Sequence, residues 1–529
     1  MFWADRICEE VIKRFDTSKR GNAPLIIRDE KTVSGRVHVG SMRGVAIHGT
    51  VSEDLGEKGV KNTFLYELND FDPMDDIPTY LPREQFEMYL GMSLKDIPAP
   101  SGSKAKNFAE HFGNEFREVI GGSGFTPIFY WASELYLSGK MDGVIREALL
   151  GAETIRRIQK EVSGAERKPG WLPISVICPQ CGKMTTTEAT DFDGQTVQIN
   201  CYETKVAYTK GCGFSGRVSP FGGKAKLYWK ADWPAKWKVN GVNVEGGGKD
   251  HSTKGGSRDV ANHIAREVFS YEPPFDIPYE FFLVGGKKMS SSKGKGSSAK
   301  EIADLLPTKI FRLALLQKDI NQAFNFDPEG DTIPVLYDLY DKLAAGAAAG
   351  VEDDYARLFK FIHLHGHLPP RDIFYPRFSQ IAFIAQMPHL DLEHEAEKLK
   401  GAPLNDADKK ELSERAEYAK RWIESYAPEK FVFKLQTELP TAVRDLSDAQ
   451  KKAIHILARY LEQSSKMPTG EELHQKLHSL KDEVPIEPAE LFSSIYLAFL
   501  GKSYGPKAGW FLSVLPRNFV LKRLKEASR

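Results

Sequence analysis

The sequence predicts an α/β protein: a doubly wound, parallel, Rossmann-like sheet carrying an inserted zinc module, followed by an all-α carboxyl-terminal domain. Three observations predict it. Strand, glycine turn, helix and strand follow one another over residues 22–68. Four of the five cysteines gather in a β-branched stretch over 172–220, and after Phe326 nearly every segment has helical spacing. Strand–turn–helix–strand opens a nucleotide-binding α/β sheet, with the turn at the carboxyl end of the first strand.

Residues 22–30 (NAPLIIRDE) read as a short buried strand, apolar from Pro24 to Ile27 and charged beyond. Residues 31–40 form a glycine-punctuated turn, and Met42, Val45, Ala46 and Val51 mark the helix after it. Residues 62–68 (NTFLYEL) read as the second strand. Within 73–170 the pattern is mixed. The stretch 134–162 is strongly helical, with Leu135, Leu137, Met141, Val144 and Ile145 at spacings near three and four. An α/β pattern returns with a helix over 258–271, a strand over 279–284 and a Gly/Ser/Lys-rich loop over 285–298. Proline joints near 368–376, 388, 403, 428, 440 and 468 divide the helical remainder. The AAGAAAG patch at 344–350 reads as a close helix contact.

The 72 basic and 72 acidic residues cancel, and hydrophobic (41%) and charged (27%) fractions match ordinary globular chains, which excludes a mainly disordered protein. The 44 Gly and 30 Pro are too scattered for a fibrous one. No run of about 18 apolar residues suggests a membrane span, and the charged amino terminus has no signal-peptide core. Five cysteines, four of them clustered, point to metal rather than to a disulfide framework. The expectation is a soluble, reduced, cytoplasmic enzyme. Zero net charge leaves nucleic acid open, because local patches bind phosphate.

The first motif is Ser34-Gly35-Arg36-Val37-His38-Val39-Gly40-Ser41, between strand and helix, where backbone N–H groups and the helix dipole can receive phosphate. Gly35 and Gly40 would let adenine and ribose approach, and His38 can donate to phosphoryl oxygens. The same pattern also suits a tight turn with a structural histidine. The second motif, Lys287-Lys288-Met289-Ser290-Ser291-Ser292-Lys293-Gly294, follows a strand. Its cations and hydroxyls suit a leaving pyrophosphate; alone, it also reads as a solvated basic loop. The third is Cys178-Pro179-Gln180-Cys181 with Cys201 and Cys212, four thiolates able to close a tetrahedral Zn2+ site. Cys201 is the ligand for which His or water could substitute, and four reduced cysteines packed as small hydrophobes are the alternative.

The two loop motifs, about 250 residues apart, together resemble the HIGH and KMSKS signatures of class I aminoacyl-tRNA synthetases. Ser41 stands at the second histidine of HIGH, and Ser291 at the second lysine of KMSKS. Further stretches are similar to class I lysyl-tRNA synthetases. They are Ser219-Pro220-Phe221-Gly222-Gly223, Asp232-Trp233-Pro234-Ala235-Lys236-Trp237, Gly248-Lys249-Asp250-His251 and Tyr271-Glu272-Pro273-Pro274. Where that family usually has a proline and a nearby glycine before the first signature, this chain has Val33 and Glu30.

The resemblance implies ATP-dependent ligation of lysine to tRNA(Lys) through a lysyl adenylate, with Mg2+ arriving with ATP and a structural Zn2+. It implies His38, Lys288, Ser290 and Lys293 as catalytic residues. For ATP it implies Ser34, Gly35, His38, Gly40, Ser41, Lys288, Met289, Ser290, Ser291 and Ser292. For lysine it favours Trp229, His251 and Tyr279, aromatic faces for methylenes; Thr32 and Asp70 join them as candidates, Asp70 because acids ending the second strand on the sheet edge of the first signature could hold an ammonium. Asp70 also reads as a turn carboxylate, and Trp233 and Trp237, four apart, as core. The implied divisions are 1–72 and 223–306 as the catalytic halves, 73–170 a connective insertion, 171–222 the zinc insertion and 307–529 a helical tRNA/anticodon-binding region. A monomer is expected. RNA contact is expected from lysines 224, 226, 230, 236 and 238. A second basic run follows at Lys502, Lys507, Arg517, Lys522, Arg523 and Lys525, interleaved with Tyr504, Trp510, Phe511 and Phe519. The rival readings are a class I synthetase for glutamate or arginine, and a non-catalytic synthetase-like RNA-binding protein.

Overall fold

The computed structural model describes residues 1–16, 23–286, 298–387 and 390–529. They form two compact units, Met1–Phe326 with Leu343–Leu368, and Asp327–Lys342 with Pro369–Arg529.

In the first unit β1 (Leu25–Thr32), β2 (Asn62–Asn69) and β3 (Ile128–Trp131) pair in parallel, with Thr32 beside Asn69 and Leu68 beside Trp131. Helix α2 (Ser41–Glu57) returns the chain from β1 to β2 and packs on both strands and on α1 (Trp3–Phe15). Covered on both sides, α2 is buried nearly all round. The stretch 134–162 is helical as expected, in three helices, Ala132–Leu137, Asp142–Leu150 and Ala152–Ser163, with Gly139 and Gly151 at the breaks.

The cysteine-bearing segment is β-rich. β4 (Ile174–Val176) pairs antiparallel with β8 (Ala225–Leu227), and β5 (Thr187–Thr190), β6 (Val197–Cys201) and β7 (Ser215–Val218) form an antiparallel sheet between them. The helix Trp229–Asn240 follows. Bridges from Ile27 to Val244 and from Val244 to Phe275 then extend the parallel sheet beyond β1. β9 (Gly247–Gly248) pairs in parallel with β10 (Pro278–Tyr279) at that side. The strand expected over 279–284 is split: β11 (Phe282–Val284) leaves β10 and pairs in parallel with β12 (Phe324–Phe326). The break falls where the Glu280 N–H turns away to donate to the Ile320 carbonyl. The helix expected over 258–271 stops at Glu267, because Ser270 takes φ 51° and the Tyr271 N–H bonds back to the Ala265 carbonyl.

The second unit is helical. Its core gathers Ile381, Phe383, Leu412, Leu457, Leu477, Phe499 and Phe511. Reciprocal capping by Asn405 with Asp408, Ser447 with Gln450 and Thr469 with Glu472 starts three of its helices. The joints at Pro403, Pro428, Pro440 and Pro468 fall between helices, while Pro388 lies outside the described residues. In the AAGAAAG patch Ala344 is buried, but Gly346 marks no close approach: a Cβ there would meet no atom within 4 Å. Among the described residues no helix is long and apolar enough to cross a membrane.

Candidate active site

A cavity of about 390 Å³ opens at the carboxyl ends of β1, β9 and β10. Residues 29–32 of β1, His38 and Gly40 of the turn and Ser41 at the start of α2 line one part of it. Trp229, Trp233, Glu245, Asp250, His251 and Tyr279 line the rest. Ligands of open α/β sheets bind at this edge. The turn is tight because His38 folds back over it: a Cβ on Gly40 would lie 2.8 Å from the His38 ring nitrogen Nδ1 and 3.2 Å from the Phe282 carbonyl. One helical turn on, Gly44 lets the Tyr279 hydroxyl and the Asp29 carboxylate approach to 2.6 and 2.7 Å from where its Cβ would be. His48 locks α2 to the far wall. The Gly246 N–H donates to its Nε2 at 2.8 Å, leaving the ring proton on Nδ1 for the Gly44 carbonyl, also at 2.8 Å.

Beneath the cavity runs a buried network of charge. Arg28 meets Glu30, Glu67 and Glu245; Lys236 meets Glu67 and Asp232; Lys226 meets Asp232 and Asp72. Glu245 is fully used. Arg28 and the Trp233 indole donate to its Oε1 at 2.6 and 2.9 Å, and the Trp237 indole to its Oε2 at 2.8 Å. Burial alone would raise the Glu67 carboxyl, but Lys236 and Arg28 hold it well below the usual range. Glu30 differs: burial pushes it up to about 7 despite Arg28 and Lys236. The Thr32 hydroxyl donates to Asp72 at 2.6 Å, which orients its lone pairs.

The four cysteines come together. Cys178 Sγ is 3.5 Å from Cys212 Sγ, Cys181 Sγ is 3.7 Å from Cys201 Sγ, and all four lie within 4.8 Å of one another. The Cys212 N–H points at the Cys201 sulfur, 3.4 Å away, which draws Cys201 into the group. Cys8 is buried against α2 and its sulfur faces the Val51 carbonyl.

The profile of the family described as tRNA synthetases class I (K) matches residues 1–367. The chain belongs to that family. Curated relatives span this synthetase end to end. A lysine--tRNA ligase of Methanosarcina barkeri is 33% identical over 99% of this chain and 97% of its own. Lysine--tRNA ligase 1 of Methanosarcina acetivorans is 33% identical over 100% and 98%. A lysine--tRNA ligase of Archaeoglobus fulgidus is 31% identical over the whole of both chains.

Of the residues singled out in the synthetase sequence, Thr32, His38, Gly40, Ser41, Trp229, His251 and Tyr279 share the cavity. Ser34 and Gly35 are outside its lining; a Cβ on Gly35 would sit 2.6 Å from the Tyr80 hydroxyl. Lys288, Met289, Ser290, Ser291, Ser292 and Lys293 lie outside the described residues. Asp70 is not in the cavity wall. Its carboxylate accepts from the Ser133 N–H (2.8 Å) and hydroxyl (2.6 Å) at the start of the helix Ala132–Leu137, the work of a turn carboxylate. Trp237 is core, as expected, whereas Trp233 is both core and wall. Among the lysines expected to meet RNA, Lys226 and Lys236 are buried, because the carboxylates around them are. Arg523 of the carboxyl-terminal run is likewise buried, on the carbonyls of Ala498, Gln436 and Thr437. Lys507 and Trp510 do share an apolar cavity of about 280 Å³ with Phe383, Phe431 and Phe433. Sequence reading missed Asp29, Glu30 and Glu245 as wall residues. The available signal was an acid inside an apolar, glycine-rich strand segment (VNVEGGG), where a charge needs buried partners.

Proposed function

We propose that this synthetase ligates L-lysine to tRNA(Lys). The observation that carries the reading is one cavity lined by Thr32, Trp229, His251, Tyr279 and the His38–Ser41 turn, at the carboxyl edge of a parallel sheet. The strand order, running outward on both sides of β1, supports the doubly wound, Rossmann-like description. The lysine carboxylate attacks the α-phosphorus of ATP and pyrophosphate leaves. The terminal ribose hydroxyl of the tRNA then takes the lysyl group and AMP leaves. No enzyme nucleophile is needed, so the chain positions the reactants and stabilises phosphoryl charge. His38 and the amino-terminal end of α2 face the phosphates, Trp229 and His251 flank the lysine methylenes, and Mg2+ accompanies ATP. Lys507 and Trp510 are RNA-facing candidates in the second unit. A cytoplasmic monomer completes the reading.

The test is aminoacylation of total tRNA with ATP, Mg2+ and a panel of labelled amino acids, tRNA being present throughout. Lysine alone should be charged. Charging with glutamate or arginine would overturn the substrate, and tRNA binding without charging would favour a non-catalytic RNA-binding protein.

Cys178, Cys181, Cys201 and Cys212 fit a structural Zn2+. A tetrahedron of Zn–S bonds near 2.3 Å has sulfur–sulfur edges of about 3.8 Å, close to the 3.5 and 3.7 Å pairs seen. Four thiolates leave no open position for catalysis. Purified protein should contain stoichiometric zinc by atomic absorption, and Cys201→Ser should lower both zinc content and melting temperature. Full zinc retention in that variant would remove Cys201 from the site.

A further inference from the structure

We propose that Glu30 is the counter-ion of the substrate's side-chain ammonium, the residue by which this chain selects a cationic amino acid. The inference rests on the cavity being the lysine site. Three observations lead to it.

The first is position. Glu30 and Thr32 are alternate residues of β1 and share a face, about 6.6 Å apart along the strand. Thr32 ends the strand, and the His38–Ser41 turn lines the same cavity, where the amino-acid carboxylate must meet ATP. A four-methylene side chain reaching inward from that edge past Thr32 ends level with Glu30.

The second is charge. The network beneath the cavity joins three cations, Arg28, Lys226 and Lys236, to five carboxylates, Glu30, Glu67, Asp72, Asp232 and Glu245. Such an excess of buried negative charge is costly unless a proton or a cation joins it. The side chains of Glu67, Asp232 and Glu245 are at most 2% exposed, against 19% for Glu30 and 23% for Asp72. Asp72 is engaged by Thr32, Asn69 and Lys226. Among the carboxylates of this network, Glu30 is the wall residue at which a cation can enter.

The third is the carboxylate itself. Arg28, and Lys236 at 3.6 Å, both approach Oε2; no group among the described residues donates to Oε1. The other wall acids, Glu245, Asp29 and the exposed Asp250, are differently placed. Both Glu245 oxygens are taken, and Asp29 accepts the Glu30 N–H at 2.8 Å. The charged and titratable groups facing Glu30 are Arg28 from β1, Glu67 from β2, Lys236 from the helix Trp229–Asn240 and Glu245 from the segment before β9. With a carboxyl pushed up to about 7, an arriving ammonium favours the ionised form, so lysine uptake should release a proton below neutrality.

The experiment compares the full-length wild type with Glu30→Gln in tRNA charging. Expected is a KM for lysine raised at least about tenfold, with KM for ATP within about twofold. Norleucine, which lacks the side-chain ammonium, should inhibit both proteins equally. The wild-type KM for lysine should rise about tenfold from pH 8 to pH 6, and that of Glu30→Gln should stay flat. Because Glu30→Gln removes excess negative charge, its melting temperature at pH 8 should be no lower than the wild type's. A lysine KM within about twofold of wild type, or an equal loss for norleucine, overturns the inference while leaving lysine ligation standing. A wild type that charges another amino acid instead overturns the underlying reading. If Glu30→Gln does not fold, Glu30→Asp decides: a retained pH dependence supports the assignment and a flat profile overturns it.

Discussion

Replacing Glu245 by alanine should lower the stability of the cavity-bearing unit by about 3–5 kcal/mol, the scale for breaking a buried ion pair by removing one partner. The Arg28 guanidinium, fully buried, would lose one of its three carboxylates, and the indole N–H groups of Trp233 and Trp237 would lose their acceptor. Each orphaned buried donor carries its own desolvation cost. The Arg258 guanidinium, which lies over the Trp237 ring at 4.5 Å and donates to the Glu245 carbonyl at 2.8 Å, would lose the support of a fixed ring. Thermal melting should fall by about 10 °C. Glu245→Gln should do less harm, since its carbonyl can still accept from Arg28 and Trp233 while its amide faces the Trp237 N–H. A melting curve unchanged in Glu245→Ala would mean that the network relaxes around the gap.

Lys288→Ala should slow lysyl-adenylate formation by about 10²–10³-fold, the effect of losing one preorganised group on developing charge. Lys288 lies outside the described residues, so the expectation comes from its place in the Lys288-Met289-Ser290-Ser291-Ser292 signature and from membership of the family. Pyrophosphate gains charge as the bond to the α-phosphorus breaks, so a cation there acts chiefly in the transition state. Single-turnover adenylate formation with tRNA present should therefore collapse while the dissociation constant for ATP changes little. Equal losses in both would assign Lys288 to ground-state binding instead.

Much of this molecule is written in short windows of its sequence. The β1–turn–α2–β2 opening follows from an apolar strand core, two glycines and helical spacing, all within about fifty residues. The helices of the second unit announce themselves through capping pairs three residues apart and prolines between them. The Cys-x2-Cys pair and the two loop signatures are local in the same sense, and His38, Trp229, His251 and Tyr279 do line one cavity.

What the tertiary structure alone decided is how the charges are spent. Arg28 and Glu245 are 217 positions apart, and Lys236 and Glu67 are 169 apart. Read singly, a lysine in a strand or a helix and an acid at a strand end look like solvated surface, so the sequence by itself places Lys226 and Lys236 among the RNA-facing lysines. Burial reverses that reading, because a charge removed from water must find its partner in the fold. The same physics withdraws Asp70 from the pocket, since Ser133 satisfies it, and brings Glu30 to the wall. Local periodicity and spacing thus determined the elements and their motifs. Which carboxylates line the cavity was decided only when distant strands brought their ionised groups into one buried network.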